Sequence, residues 1–171
     1  ADYEAALRLE PTSALLTGKL GNAQLAAGAE LRPRAIETLS KAIALDGKIA
    51  AIWNRRGVAH ELSGDLDKAL ADQNRAIELD PTLVQAWSDR GDVRMAQKKL
   101  RAAHADYSRA IELLGEDSGR WRILLNRGNA NFMLDDFAAA IADYDAVLAL
   151  RPDDEMARGN RAVAQRRLDG K

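Results

Sequence analysis

Two histidines, His60 and His104, are the only imidazoles in a chain that contains no cysteine. Neither has a second histidine or a cysteine at ligand spacing, so both read as partly buried structural residues and not as metal ligands. Adjacent carboxylates occur at Asp135-Asp136 and Asp153-Asp154. Both pairs fall in turns or at helix starts, where an aspartate caps free backbone N–H groups and meets the positive end of the helix dipole. Asp65-Leu66-Asp67 begins like a calcium loop but lacks the remaining ligands. No glycine-rich phosphate loop follows a strand, because no stretch alternates like one. The expectation is a protein with no catalytic residues, no metal and no cofactor.

The charge balance narrows the partners. Lysine plus arginine number 25 and aspartate plus glutamate 26, a formal charge of −1. That is not the cationic excess that draws a protein to phosphate backbones, so nucleic acid is not the expected partner. Apolar runs are a few residues long, far short of the roughly 20 that span a bilayer. A soluble protein is expected; the absence of cysteine leaves the compartment open, with the cytoplasm only slightly ahead of the periplasm or secretion. The first residues, Ala1 to Leu7, already lie inside an amphipathic pattern, which leaves room for an upstream segment.

The elements that would position any functional residue come from a repeat. Trp53 and Trp87 are 34 residues apart, and so are Gly57 and Gly91, Ala69 and Ala103, Ala76 and Ala110, Ile77 and Ile111, and Leu79 and Leu113. A third copy carries Leu124, Gly128, Ala140, Val147, Leu148 and Leu150 in the same columns after three extra residues near Gly115 to Gly119. A degenerate earlier copy has Gly21, Ala35, Ala42, Ile43 and Leu45, with two extra residues around Gly28 to Pro33. Within each copy apolar residues recur at three and four, which is helical spacing. Ser63-Gly64-Asp65 and Leu134-Asp135-Asp136 divide each copy into two helices, while Asp80-Pro81 and Arg151-Pro152 end copies. Gly57, Gly91 and Gly128 sit mid-helix, where glycine costs about 1 kcal/mol against alanine. Close packing of the partner helix, opposite Ala69, Ala103 and Ala140, is the expected reason.

These columns resemble the tetratricopeptide repeat family, whose signature is a 34-residue helix-turn-helix with Trp, Gly, Ala, an aromatic, Ala and Pro at set intervals. Trp53, Gly57, Ala69, Ala76 and Pro81 match one copy, Trp87, Gly91, Ala103, Tyr107 and Ala110 the next, and Gly128, Ala140, Tyr144 and Pro152 the third. Gly115 replaces the closing proline, Gln73 replaces the aromatic, and His60, Arg94 and Asn131 stand where a large aromatic is usual. The resemblance implies an all-α, right-handed superhelix of antiparallel hairpins. Its expected divisions are a second helix only in 1–13, a degenerate repeat in 14–49, repeats in 50–83, 84–120 and 121–153, and a capping helix in 154–171.

Arg56, Arg90 and Arg127 precede the glycine, while Asp72, Asp106 and Asp143 hold a constant offset in the second helix; the degenerate copy has Leu20 and Thr38 in those columns. Arginine and aspartate come and go together. The spacing predicts a bidentate Arg-Asp contact within each repeat, structural in role and setting helix register more than adding stability.

In the resembled family the first helices line a concave groove that holds a peptide. Alignment of the copies then makes Lys19 and Asn22; Asn54, Arg55 and Val58; Gln85, Ser88, Asp89 and Asp92; and Arg122, Leu125, Asn126 and Asn129 the ligand-facing set. Asparagine both donates and accepts, which suits capture of a peptide backbone. Members that grip the acidic C-terminus of heat-shock chaperones use lysine and asparagine, then asparagine, then lysine with arginine. Here Gly18, Arg55, and Gln85 with Asp89 take those places, only Asn22 matching, or Asn129 if the frame is moved, and Asp89 and Asp92 argue against a carboxylate ligand.

The last helix carries Arg158, Arg161, Arg166, Arg167 and Asp169 beside Met156, Ala157, Val163 and Leu168, which reads as a solvating cap. At the other end Tyr3, Ala6 and Leu7 present half a hairpin, an apolar patch suited to an oligomer contact. The expected function is a scaffold or adaptor that binds a peptide or partner subunit in the groove. The alternative is a self-assembly module that forms a homo-oligomer through the N-terminal face, and an RNA-binding helical repeat ranks third.

Overall fold

The computed structural model describes residues 2–116 and 118–170; among the anticipated repeat limits, residues 1 and 171 lie outside the described residues, as does Asp117 within the fourth segment. Among the described residues there are ten α-helices and no strand. They are α1 (Asp2–Leu9), α2 (Ala14–Ala26), α3 (Arg32–Leu45), α4 (Ala50–Leu62), α5 (Leu66–Leu79), α6 (Val84–Ala96), α7 (Leu100–Leu114), α8 (Trp121–Met133), α9 (Phe137–Leu150) and α10 (Glu155–Leu168). Short 3-10 turns at Ala29–Leu31 and Ser118–Arg120 take up the extra residues of two copies.

Local chemistry sets the helix limits. Ser13 caps α2, Asp65 caps α5, Asp136 caps α9 and Asp154 caps α10, each accepting from the backbone N–H three residues on. The turns before α5, α7 and α9 pass through the left-handed region at Gly64, Lys98 and Asp135. A tryptophan indole ties each of two loops to the helix that follows it: Trp53 Nε1 donates to the Gly47 carbonyl at 2.9 Å and Trp87 Nε1 to that of Pro81 at 3.0 Å.

The chain divides into two compact units, with the boundary between Asp89 and Arg90 inside α6. In the first, α2 packs on α3 and α4 on α5. Leu39, Ala42 and Ile52 form one core cluster, and Ala76, Ile77 and Ala86 form another against Trp53 and Trp87. In the second unit α8, α9 and α10 close around Leu124, Leu125, Ala140, Tyr144, Val147, Ala157 and Ala164.

The mid-helix glycines do mark close approach: at Gly57 the Ala69 carbonyl oxygen would lie 3.3 Å from a Cβ, and at each of these glycines the nearest atoms belong to the residue one turn beyond the alanine. A Cβ on Gly91 would lie 2.5 Å from Tyr107 Cε1, and one on Gly128 2.7 Å from Tyr144 Cε1. A Cβ on Gly57 would lie 2.9 Å from Gln73 Nε2, and one on Gly21 2.7 Å from Leu39 Cγ. Each glycine therefore makes room for the bulky residue one turn beyond the alanine on the facing helix.

The two end helices bury little of their surface. On α10 the buried residues are Ala157 and Ala164, while Met156, Val163 and Leu168 are exposed. Small side chains let the helix lie close, so the larger apolar ones are left at its margins. On α1 no residue is buried; Ala6 and Leu7 are half-covered and Tyr3 and Leu9 are exposed.

Candidate functional site

In three repeats the second helix, α5, α7 or α9, offers one aspartate to its own first helix. Arg56 donates to Asp72 through Nε and Nη2, both at 2.8 Å, and Arg90 to Asp106 at 3.0 and 2.7 Å. Arg127 does the same to Asp143, with Nε 3.0 Å from Oδ2 and Nη2 2.5 Å from Oδ1. A further group reaches each carboxylate: His60 Nε2 at 4.0 Å from Asp72, Arg94 Nη1 at 2.7 Å from Asp106, and Asn131 Nδ2 at 3.0 Å from Asp143. Arg94 and Asn131, two of the three residues in the aromatic column, thus hydrogen-bond their aspartate, while His60 stands beyond hydrogen-bond distance of Asp72. Arg56 and Arg127 also donate to Ser40 and Ser108 on the preceding second helix. Burial pushes the His60 imidazole below its ordinary value, with Asp72 opposing.

The residues aligned as ligand-facing separate into two groups. In the first unit Lys19, Asn22 and Arg55 are exposed around a small cavity of about 160 Å³ with Leu15, Ile49 and Ile52. Gly18 belongs to this cavity, and a Cβ there would sit 2.9 Å from Ile52 Cδ1. Gln85 is exposed, Ser88 and Val58 half-covered. Asn54 is not presented to a ligand: it is 2% exposed and its Nδ2 donates to Asp89 Oδ2 at 3.0 Å. Leu125 of the second unit is likewise buried. Both are covered by neighbouring helices, so the exposed face of these first helices is narrower than a three-and-four offset assumes.

In the second unit the polar residues form a ladder. Tyr107 Oη donates to Asp92 Oδ1 at 2.6 Å, and Asn126 Nδ2 donates to the same oxygen at 2.9 Å. One repeat on, Tyr144 Oη donates to Asn129 Oδ1 at 2.9 Å and Asn160 Nδ2 donates to that oxygen at 3.0 Å. The recurrence of asparagine in these columns thus has a cause inside the protein. Burial raises the Asp92 carboxyl above its ordinary value, against the bonds from Tyr107 and Asn126 and the charge of Arg122. Burial beside Asp143 pushes the Tyr144 phenol up to about 12.

Above this ladder lies a cavity of about 430 Å³ lined by Met95, Asn129, Phe132, Met133, Tyr144, Asn160 and Val163. A second depression, of about 160 Å³, shares Met95 and Asn129 and adds Asp92, Tyr107 and Asn126. Apolar walls over an amide and phenol floor are what a peptide side chain with its backbone requires. Sequence reasoning missed Met95, Phe132, Met133, Asn160 and Val163. A signal existed: Met95 and Phe132 each stand three residues after Asp92 and Asn129, one helical turn along the same face.

Sequence models described as tetratricopeptide repeat match residues 50–83 and 88–155. The chain belongs to the tetratricopeptide repeat family. Comparison with curated protein sequences yields no match. Among solved structures, the tetratricopeptide chain resembles MamA with a TM-score of 0.76 and 23% identity, over 88% of this chain and 85% of the other. It resembles YrrB, "a TPR protein with an unusual peptide-binding site", with a TM-score of 0.75 and 20% identity over 94% and 80%. The first TPR of Spaghetti (RPAP3), bound to HSP90 peptide SRMEEVD, gives 0.67 and 24% over 72% and 96%. At these identities the likeness shows the tetratricopeptide fold. Among the described residues no three His, Asp or Glu side chains group to hold a metal, and no helix is long and apolar enough to cross a membrane.

Proposed function

We propose that this chain is a protein-interaction scaffold that binds a peptide segment or partner subunit on its first helices, without catalysing a reaction. One observation carries the reading: α6, α8 and α10 line a 430 Å³ cavity with Met95, Phe132, Met133 and Val163 around an amide floor. Two structurally similar proteins are described as binding peptides, which agrees with this use of the fold. The near-neutral charge favours protein over nucleic acid as the partner.

Selection of 12-residue peptides from a random display library tests the reading. Enriched peptides are expected to lose binding on Phe132→Glu and to keep it on Arg109→Ala, a change at an exposed position of α7. Failure to enrich any peptide, or equal binding to both variants, refutes it. A second reading, self-assembly through the N-terminal face, draws support from exposed Tyr3, Leu9 and Leu15. Light scattering tests it: a dimer that Leu9→Glu converts to monomer supports it, and a monomer at all concentrations removes it.

A further inference from the structure

Asp92 and Asn129 occupy the same column and do the same structural work. Each offers one Oδ1 to a tyrosine hydroxyl from the second helix and to an asparagine Nδ2 from the next first helix. An amide meets that demand fully at Asn129. The carboxylate at Asp92 is therefore surplus to the fold, and it is costly, because a partly buried anion loses hydration. Both bonds to Asp92 fall on Oδ1, so Oδ2 carries no hydrogen bond from the described residues. Arg122, whose charge acts on it, is exposed and makes no ion pair with it among the described residues. The depression that Asp92 lines opens beside the apolar cavity, the two sharing Met95 and Asn129. Asp92 and Met95 are one helical turn apart, about 5 Å along the axis, a distance one or two residues of extended chain cover at roughly 3.3 Å each.

Resting on the peptide-binding reading above, we propose that the occupant is a peptide with a lysine or arginine one or two positions from a large apolar residue: the apolar side chain fills the Met95–Phe132–Val163 cavity and the cation pairs with Asp92 Oδ2. Every residue lining the larger cavity is neutral, and the charge that opposes a cation at Asp92 is that of exposed Arg122. The preference for a base over an acid follows from the partly buried Asp92 carboxylate, which a bound cation meets directly while Arg122 stays in solvent, and the preference for bulk follows from the 430 Å³ volume.

The test is fluorescence anisotropy with three labelled 12-residue peptides, identical Gly/Ser chains that carry Arg-Gly-Leu, Glu-Gly-Leu or Arg-Gly-Ala at the centre. The wild-type chain is expected to bind the first about tenfold more tightly than either of the others. Asp92→Asn keeps both structural bonds, as Asn129 does, and is expected to erase the Arg-over-Glu preference while the Leu-over-Ala preference stays. Equal or tighter binding of the Glu-Gly-Leu peptide, a preference that survives Asp92→Asn, or no binding of any of the three overturns the inference. The broader reading is judged separately: if library peptides without a basic residue bind and lose binding on Phe132→Glu, the cavity remains a peptide site and only the basic-apolar specificity falls.

Discussion

Replacing Gly91 by alanine sets two known effects against each other. Alanine gains about 1 kcal/mol over glycine inside a helix. The new Cβ would stand 2.5, 2.8 and 2.9 Å from three ring atoms of Tyr107. That ring is 1% exposed and anchored through its hydroxyl to Asp92 at 2.6 Å, so it has nowhere to rotate without giving up a hydrogen bond to a charged group worth about 1.5–3 kcal/mol. Overpacking of this kind costs about 1–3 kcal/mol by itself. The net expectation is a loss of about 1–3 kcal/mol, measured by urea unfolding followed by far-UV circular dichroism. Three further glycines calibrate it. Gly128→Ala, at 2.7 Å from the Tyr144 ring, should lose a similar amount. Gly57→Ala should lose less, because its nearest neighbour is the flexible end of Gln73 at 2.9 Å. Gly159→Ala in α10, with nothing within 4 Å, should gain about 0.5–1 kcal/mol. In a Tyr107→Ala background the Gly91→Ala penalty should vanish. If Gly91→Ala is as stable as the wild type, or if its cost persists without the Tyr107 ring, the close-approach explanation of these glycines is wrong.

Asp106→Ala leaves Arg90 and Arg94 as partly buried cations, their side chains 12% and 22% exposed, without the carboxylate that both contact. Such a loss costs about 3–5 kcal/mol, whereas Arg75→Ala, which breaks an exposed pair with Glu78, should change the same urea midpoint by less than about 0.5 kcal/mol; equal effects would refute the distinction. Asp92→Asn should raise stability at neutral pH. The folded carboxyl titrates above its ordinary 3.8, so its favourable contribution is complete below that pH and is lost as pH rises through the folded value. The gap between variant and wild type in thermal unfolding should therefore close on acidification toward pH 3.8, and a gap that widens would overturn the assignment.

Several structural groupings were legible from spacing because they are local. Arg56 with Asp72, Arg90 with Asp106 and Arg127 with Asp143 lie within one hairpin, 16 residues apart, so a constant offset in sequence reports a constant offset in space. The sharing of each aspartate with His60, Arg94 or Asn131 was not, because three different side chains reach it at different lengths. Asn126 misled for a related reason: it looks like a free groove amide until its partner 34 residues earlier is seen.

The sequence by itself determined the helices, their pairing period and the family, since a 34-residue recurrence of Trp, Gly and Ala and the caps at turns are short-range properties that each copy carries alone. Which face of each first helix stays open was decided only by tertiary packing. Asn54 and Leu125 are buried, and Met95, Phe132 and Val163 are gathered into one cavity, because the residues that cover or uncover them come from neighbouring helices. A periodic pattern specifies that a helix has an apolar side; the neighbours set how wide that side is and which atoms remain for a partner.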